Sequence, residues 1–245
     1  MRYLVLSDIH ANIDALESVL ADAERHRAGH VLLLGDLVGY CADPNGVIAR
    51  LRMLGPVTCV RGNHDKAAAG LDDADGFNAA ARHSARWTAE VLTDDHRAYL
   101  ASLPQGPALV GEDIEICHGT PFDEDAYVFD EMDALYALQS SRRAVCLFGH
   151  THNPVGLTFD GSVLDYGPLS AGDSVVLRSD ARHLINVGSV GQPRDGDPRA
   201  AYGIVDMERR VVTAYRVAYP VERAQARILE AGLPDVLAQR LRLGR

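Results

Sequence analysis

The sequence has few cysteines, and their spacing fits neither a disulfide framework nor a zinc site. Among 245 residues there are four, at Cys41, Cys59, Cys117 and Cys146, and none belongs to a C-x-x-C pair. Three of them lie in or beside apolar runs that are typical of buried strands. We therefore expect buried structural thiols rather than disulfides or zinc ligands.

Positive charge is also scarce. The chain carries 24 lysines and arginines against 34 aspartates and glutamates, a formal net charge of -10. Broad nucleic-acid binding needs a basic face that neutralises phosphates. The charge balance therefore argues against an extended nucleic-acid surface. It leaves open a small nucleotide whose phosphates a metal ion could hold.

Long apolar runs are absent as well. Residues 1–8 become charged too early for a signal peptide, and no run approaches the length that spans a bilayer. We expect a cytoplasmic protein with no membrane partner. With 47% hydrophobic residues, the chain can still bury a large core.

The first 60 residues alternate between strands and helices. Continuous apolar runs predict buried strands at 3–6, 31–34 and 57–60, and helical spacing follows at 12–25 and from Asp43. Apolar strands separated by helices indicate parallel pairing with helices on the faces of the sheet. The ligand crevice of such a sheet lies beyond the carboxyl ends of its strands.

The middle of the chain has a different composition. Residues 70–103 are rich in alanine, aspartate and arginine and show helical spacing, which predicts one or two helices over or beside the site, or plain scaffold. Residues 108–117 predict a hairpin, 130–140 a helix and 144–148 another buried strand.

The last third is mostly strands. Short strands joined by turns over residues 154–219 predict a second, largely antiparallel sheet. Residues 222–242 predict terminal helices whose apolar stripe could dock on its own domain or on a second copy in a homodimer. Because no linker divides the chain, we predict a single domain over residues 1–245.

Five short motifs each follow an apolar run. They are Asp8-Ile9-His10, Gly35-Asp36, Gly62-Asn63-His64-Asp65, His118-Gly119 and Gly149-His150-Thr151-His152. Side chains at i and i+2 of an extended segment point the same way, so Asp8 and His10 can hold one ion. The same holds for His150 and His152. Carboxylate, imidazole and amide ligands suit Mn²⁺, Fe, Zn²⁺ or Ni²⁺.

A single carboxylate between these pairs, Asp36, can bridge two ions. Two ions about 3.5–4 Å apart can clamp phosphate oxygens and supply a hydroxide for in-line attack. This chemistry favours phosphoester hydrolysis over acyl transfer. A mononuclear zinc hydrolase of amides would leave too many of the ligands unused.

The ordered set of five motifs resembles the calcineurin-like metallophosphoesterases, and the resemblance covers at least residues 1–210. Residues 35–40 and 186–194 look like the small bacterial branch, YfcE-like or diadenosine-tetraphosphatase-related. The resemblance implies an α/β fold, a four-layer α/β/β/α sandwich of two mixed sheets flanked by helices.

The resemblance also implies a role for each motif residue. The first ion would bind Asp8, His10, Asp36 and His152. The second ion would bind Asp36, Asn63, His118 and His150. His64 would protonate the leaving oxygen, and Asp65 would orient His64.

The implied enzyme hydrolyses a small phosphodiester or nucleotide with two divalent or trivalent ions, of which we expect Mn²⁺ first. A phosphomonoesterase and a non-catalytic metal-binding scaffold of the same fold are the alternatives. The expected partner is a small phosphorylated substrate.

Four residues are candidates for substrate binding: Asn12, Asn63, His64 and Arg194. Asn12 could hydrogen-bond a phosphate, or it could cap the helix that begins there. Arg194 follows a loop rich in glycine and proline. It could neutralise substrate charge, or it could belong to a solvated turn of mixed charge.

Overall fold

Twelve strands form two sheets of six in the computed structural model, which describes residues 1–245. The strands are Arg2–Leu6 (β1), His30–Leu33 (β2), Val57–Cys59 (β3), Ala108–Val110 (β4), Ile114–Ile116 (β5), Val145–Leu147 (β6), Val155–Phe159 (β7), Leu164–Pro168 (β8), Ser174–Val176 (β9), Arg182–Asn186 (β10), Ala200–Asp206 (β11) and Val211–Val217 (β12). The first sheet has the order β3-β2-β1-β11-β12-β9, and the second β4-β5-β6-β10-β7-β8.

Eight α-helices surround the sheets. They are Ile13–Ala23 (α1), Pro44–Arg52 (α2), Asn63–Ala68 (α3), Ala79–Val91 (α4), Asp94–Ser102 (α5), Glu131–Ser140 (α6), Val221–Glu230 (α7) and Asp235–Leu243 (α8). None of them is long and apolar enough to cross a membrane. All four cysteines are free thiols, three of them buried.

Apolar clusters on the faces of the two sheets hold the layers of the fold together. A central cluster joins the inner faces of both sheets, through Val5 and Leu32 of the first and Leu147 and Ile185 of the second. The largest cluster covers the outer face of the first sheet with α1, α2, α7 and α8. A smaller cluster packs α6 on the outer face of the second sheet. The result is the expected four-layer sandwich of two mixed sheets.

One prediction about the sheets is wrong. Residues 154–219 do not form a sheet of their own, because β11, β12 and β9 extend the first sheet while β10, β7 and β8 extend the second. The joining contact is antiparallel pairing of β11 with β1, where Val5 faces Gly203. An alternating strand pattern shows which residues face the core but not which strand lies alongside.

Six parallel strands end at one edge of the sandwich. In the first sheet β1, β2 and β3 run parallel, and in the second β5, β6 and β10 do. Each of the five motifs follows one of these strands, and the loop after β10 holds residues 187–194. The fold therefore gathers motifs that are far apart in sequence.

The terminal helices pack on their own chain. Ile228, Leu233, Leu237 and Leu241 are buried in the cluster that covers the first sheet. The apolar stripe of residues 222–242 thus covers the outer face of its own sheet.

Candidate metal centre

Two groups of metal-binding side chains meet at this edge, and they share one residue. Asp8, His10, Asp36 and His152 have ligand atoms within 4.8 Å of one another, and so do Asp36, His118 and His150. All six residues are buried. The structure thus brings together all of the predicted ligands that are histidine or aspartate.

In the first group the ligand atoms face each other closely. The Nε2 atoms of His10 and His152 are 3.1 Å apart. His152 Nε2 lies 3.4 Å from Asp8 Oδ1, and His10 Nε2 lies 3.5 Å from Asp36 Oδ2. Four donor atoms therefore converge on one small volume.

The second group approaches Asp36 from the other side. His118 Nε2 lies 3.4 Å from Asp36 Oδ2, the same oxygen that faces His10. The amide oxygen of Asn63 lies 3.2 Å from His118 Nε2, which adds the fourth predicted ligand. Asp36 Oδ2 is therefore the atom common to both groups.

Backbone groups hold the two carboxylates. Asp36 Oδ1 accepts a hydrogen bond from the His64 N–H at 2.9 Å, which leaves Oδ2 directed at the histidines. Asp8 Oδ1 accepts from the His150 N–H at 3.1 Å, and Asp8 Oδ2 accepts from the Ser7 hydroxyl at 2.6 Å. Each carboxylate thus ties its own loop to a second ligand loop.

Main-chain carbonyls fix the orientation of three histidines. The Nδ1–H groups of His10, His118 and His152 donate to the carbonyls of Val38 (3.1 Å), Leu34 (2.7 Å) and Gln192 (2.6 Å). This arrangement leaves each Nε2 with a lone pair directed into the cluster. Two such lone pairs 3.1 Å apart repel each other unless a cation lies between them. The donor set therefore fits a metal ion.

His150 has the opposite arrangement. Its Nε2 lies 3.2 Å from the carbonyl oxygen of Asp125 and donates to it. Nδ1 is then the nitrogen free to bind an ion, since a neutral imidazole carries one donor and one acceptor. The loop that holds Asp125 therefore sets which nitrogen of His150 is available to bind a metal ion.

Charges within the cluster also suit a cation. Burial lowers the pKa of His10 and His152 well below the usual value, so both are neutral as ligands must be. Burial raises the pKa of Asp36, but His118 and His64 outweigh it and hold that pKa well below its usual range. Burial lowers the pKa of His118, yet Asp36 raises it to about 10. Asp36 therefore favours a positive charge beside His118. A bound metal ion would supply that charge in place of a proton on His118.

The ligand loops have an unexpected backbone conformation. Asp8, His10 and Asp36 have φ angles of 53°, 50° and 53°, and His150 and His152 have 67° and 60°. The prediction that Asp8 with His10, and His150 with His152, lie on extended segments is therefore wrong, although their side chains do converge. Non-glycine residues rarely adopt positive φ, and such conformations cluster at functional sites.

Glycines in the motifs allow loops to touch. A Cβ atom on Gly62 would lie 2.1 Å from Asp36 Oδ1, and one on Gly149 would lie 2.1 Å from Ser7 Oγ. Any larger residue would push apart the loops that carry the ligands. This close approach explains why glycine precedes both Asn63 and His150.

His64 lies beside the first group but not where Asp65 could orient it. Its ring centroid is 4.3 Å from Tyr40, 4.6 Å from Phe77 and 5.0 Å from His10. Burial lowers the pKa of His64 to about 4. Its Nδ1 has no hydrogen-bond partner within the protein.

Asp65 has a different role from the predicted one. Its carboxylate accepts from the Gly62 N–H at 2.9 Å and from the Val38 N–H at 3.1 Å, rather than from the His64 imidazole. Asp65 lies in the first turn of α3 and holds this turn against the loop after β2. The rings of Tyr40 and Phe77 position His64 instead.

The two remaining substrate-binding candidates differ. Asn12 accepts from the Ala15 N–H at 3.1 Å and donates to the Gly191 carbonyl at 2.9 Å, and it is 2% exposed. Its amide is used to cap α1 and to hold the 187–194 loop, which corrects the phosphate-binding prediction. Arg194 lies over the Tyr40 ring at 5.6 Å, so it faces the centre rather than a solvated turn.

Residues 70–103 both contact and support the site. Phe77 precedes α4 and contacts His64, while Ser84 on α4 accepts a hydrogen bond from the Tyr40 N–H at 3.1 Å. Sequence analysis missed Tyr40 and Phe77. Tyr40 had one available signal, its position four residues after Asp36, whereas Phe77 had none nearby.

A cluster of ion pairs holds one side of the rim. Lys66, the only lysine of the chain, contacts Asp125 and lies 3.4 Å from Glu124 Oε1. Arg61 binds both oxygens of Glu124 at 2.9 Å. These pairs fasten the segment containing Asp125 to α3, and so support the carbonyl that orients His150.

The fold and the sequence both have known relatives. A family model described as the calcineurin-like phosphoesterase superfamily domain matches residues 1–210. The uncharacterized protein MJ0912 of Methanocaldococcus jannaschii is 34% identical over 98% of this chain and 97% of its own length. A metallophosphoesterase from Sphaerobacter thermophilus is 38% identical, with a TM-score of 0.89 over 100% of this chain and 99% of that chain.

A third relative is similar in fold alone. The hypothetical protein PH1004 from Pyrococcus horikoshii OT3 is 20% identical, with a TM-score of 0.81 over 100% of this chain and 98% of that chain. The family match covers all five ligand motifs and eleven of the twelve strands. The chain therefore belongs to the calcineurin-like phosphoesterase superfamily.

Proposed function

We propose that this phosphoesterase is a dinuclear, metal-dependent phosphodiesterase that hydrolyses a small phosphodiester or nucleotide. Asp8, His10, Asp36 and His152 would hold one ion. Asp36, Asn63, His118 and His150 would hold the other. The observation that carries the proposal is that one oxygen, Asp36 Oδ2, faces a histidine of each group, at 3.5 Å and 3.4 Å.

The ions and the chain would divide the chemistry. When bound, two divalent ions polarise phosphate oxygens and activate water. The chain keeps the ligands in place, because carbonyls of Val38, Leu34 and Gln192 fix three imidazoles. Mn²⁺ is the ion we propose first, since oxygen and imidazole ligands suit it.

His64 would give a proton to the leaving oxygen. Burial lowers the pKa of His64 to about 4 in the free protein, so this role requires the negative charge of the bound phosphate to raise that pKa. The position of His64 beside His10 and the contacts of its ring with Tyr40 and Phe77 support this role. A leaving alkoxide is a poor leaving group unless it is protonated, so a positioned imidazole gives a large gain. The positive charge of Arg194, next to Tyr40, would attract the anionic substrate.

Two alternatives use the same residues. A phosphomonoesterase would need the same ligands and differ in how the rest of the substrate is accommodated. A non-catalytic metal-binding scaffold would need the ligands but not His64. A buried imidazole against the ligand group is therefore better explained by catalysis.

The test removes and restores the metal. The purified protein is stripped with a chelator and dialysed against Mn²⁺, bound ions are counted by mass spectrometry, and hydrolysis of bis(p-nitrophenyl) phosphate is compared with p-nitrophenyl phosphate. Two ions per chain and metal-dependent preference for the diester support the proposal. Preference for the monoester favours a phosphatase, and two ions without turnover favour the scaffold.

A further inference from the structure

A cavity of about 300 Å³ lies beside the metal centre. Its wall is largely apolar, with Val155 and Leu157 on one side. Three aromatic rings face it, those of Tyr127, Phe129 and Tyr166. The volume is at the lower end of the range of small-molecule pockets.

The cavity is continuous with the proposed centre. The Tyr127 ring stacks on the ligand His150, with centroids 3.8 Å apart and planes at 30°. Thr151, which lies between two ligand histidines in the sequence, also lines the cavity. The Tyr127 ring would therefore be all that separates a group bound in the cavity from the proposed ligand His150.

Arg194 lies where the cavity meets the centre. Its guanidinium contacts the Tyr40 ring, and its Nη2 lies 3.3 Å from the Tyr40 hydroxyl. Its Nε is buried and has no hydrogen-bond partner within the protein. A positive group with an unused donor suits an anion at the entrance to the cavity.

The rings of the cavity are arranged for stacking. Tyr127 and Phe129 are nearly parallel, with planes at 11° and centroids 4.9 Å apart. Phe129 is 78% exposed and Tyr166 is 54% exposed. Exposed aromatic faces in a pocket next to a reaction centre favour a planar ring as the ligand, because bases stack on such faces without sequence preference.

A larger cavity does not compete for this role. It has a volume of about 380 Å³ and lies among β7, β8 and β9. None of the predicted ligands and no substrate-binding candidate lines it. Another cavity, of about 270 Å³, is lined by Asn63, Phe77 and His150 and so opens onto the proposed metal centre itself. Tyr127 lines both this cavity and the cavity of about 300 Å³, and so connects them.

We infer that the cavity lined by Tyr127, Phe129 and Tyr166 is the subsite for a planar aromatic substituent of the phosphoester, a nucleobase or an aryl ring. Arg194 would contact the phosphate at the boundary between this aromatic subsite and the metal centre. The inference rests on the proposed phosphodiesterase function and deepens it by naming the chemistry of the substituent.

The first test varies one substituent and keeps the leaving group constant. Mn²⁺-restored protein is given the methyl, phenyl and thymidine 5′ esters of p-nitrophenyl phosphate, all of which release p-nitrophenolate. We expect kcat/KM to be at least about tenfold higher for phenyl and thymidine than for methyl, as stacking of one ring predicts. A further gain for thymidine over phenyl identifies a nucleobase. Equal kcat/KM for all three overturns the inference.

Variants then assign the preference to the cavity. Phe129→Ala and Tyr166→Ala should each reduce the phenyl-to-methyl ratio of kcat/KM severalfold, and Phe129→Tyr should keep it. The matched control is Phe122→Ala, because Phe122 is 48% exposed and packs on Tyr136 outside the cavity. Retention of the full ratio in both cavity variants overturns the inference.

Binding separates this inference from the proposed function. If no ester is hydrolysed, the phosphodiesterase proposal fails, but calorimetry with AMP and with ribose 5-phosphate still tests the subsite. The two ligands carry the same phosphate and differ by the base. AMP should bind at least about tenfold more tightly, and less so in Phe129→Ala. Equal Kd values overturn the subsite whatever the activity.

Discussion

The floor of the site and its rim are built in different ways. The floor consists of the ligands on loops that follow parallel strands, such as Asp8, Asp36 and His118, and all three are buried. The rim consists of Phe77, Arg194 and the aromatic subsite, which are partly or largely exposed. Main-chain groups hold the floor, whereas side chains of several separate segments form the rim.

This difference suggests that the floor and the rim have different functions. On the floor, hydrogen bonds to main-chain carbonyls and N–H groups leave each ligand little freedom. Such rigidity suits metal binding, because a site must hold its ligands within a narrow geometry. The rim can change without moving a ligand. We therefore expect floor substitutions to remove chemistry and rim substitutions to alter its efficiency or selectivity.

The largest expected effect comes from the residue that both halves of the floor share. Asp36→Ala should lower hydrolysis of the diester by about 10³-fold or more and reduce the number of bound ions, because several kcal/mol of charge stabilisation are lost. Ion counting and steady-state kinetics measure both. The control is Glu112→Gln, in the exposed turn between β4 and β5. Full activity and two ions in Asp36→Ala would contradict the shared-ligand arrangement.

His64 lies between the floor and the rim, because its ring is close to both His10 and Phe77. His64→Ala should reduce kcat by about 10²- to 10⁴-fold for an ester with an alkoxide leaving group while the ion content stays the same. The loss should be much smaller for p-nitrophenolate, which departs without a proton. An equal loss for both leaving groups would argue against proton donation. No loss in any assay would favour the non-catalytic scaffold.

The floor is also the part that sequence analysis predicted best. The family match over residues 1–210 confirms the resemblance that rested on five motifs, and the solved relative at a TM-score of 0.89 confirms the fold class. Strand-end motifs are short and local, so the sequence displays them directly. The convergence of His118 with Asp36 follows once the strands are parallel.

Details of the same loops were predicted less well. Asp65 lies in the first turn of α3, and only the structure shows that its carboxylate accepts hydrogen bonds from main-chain N–H groups. The positive φ angles of Asp8 and His10 likewise accompany hydrogen bonds from their N–H groups to the carbonyls of Gly35 and Asp36 in the next ligand loop. Both features arise from loop–loop contacts that no local pattern records.

The aromatic residues of the rim had almost no signal in the sequence. Phe77 and Tyr127 are ordinary aromatic residues in polar segments, and they reach His64 and His150 only through the path of the folded chain. The pairing of β11 with β1 was missed for the same reason, since its partners are about 200 residues apart. Long-range placement is the property that hydrophobic periodicity does not encode.

A smaller effect should come from the rim ring that contacts His64. Phe77→Ala should lower kcat by about tenfold, because the imidazole loses the wall that fixes its orientation, and misplacement of a catalytic group is costly. Phe77→Leu should recover part of the loss. Ion content should match that of the unmodified protein. The measurement is kcat with an alkyl ester, with Phe122→Ala as the control. An unchanged kcat would remove Phe77 from the positioning of His64.

The smallest expected effect is on stability. Asn12→Ala removes the α1 cap and the tie to Gly191, so the free energy of unfolding should fall by about 1–2 kcal/mol. Asn12→Asp should keep the cap and recover part of the loss. KM should not change, because the amide is already used within the protein. Urea unfolding of the metal-restored protein measures the first effect and steady-state kinetics the second. A raised KM at unchanged stability would instead indicate that Asn12 binds the substrate and belongs to the rim.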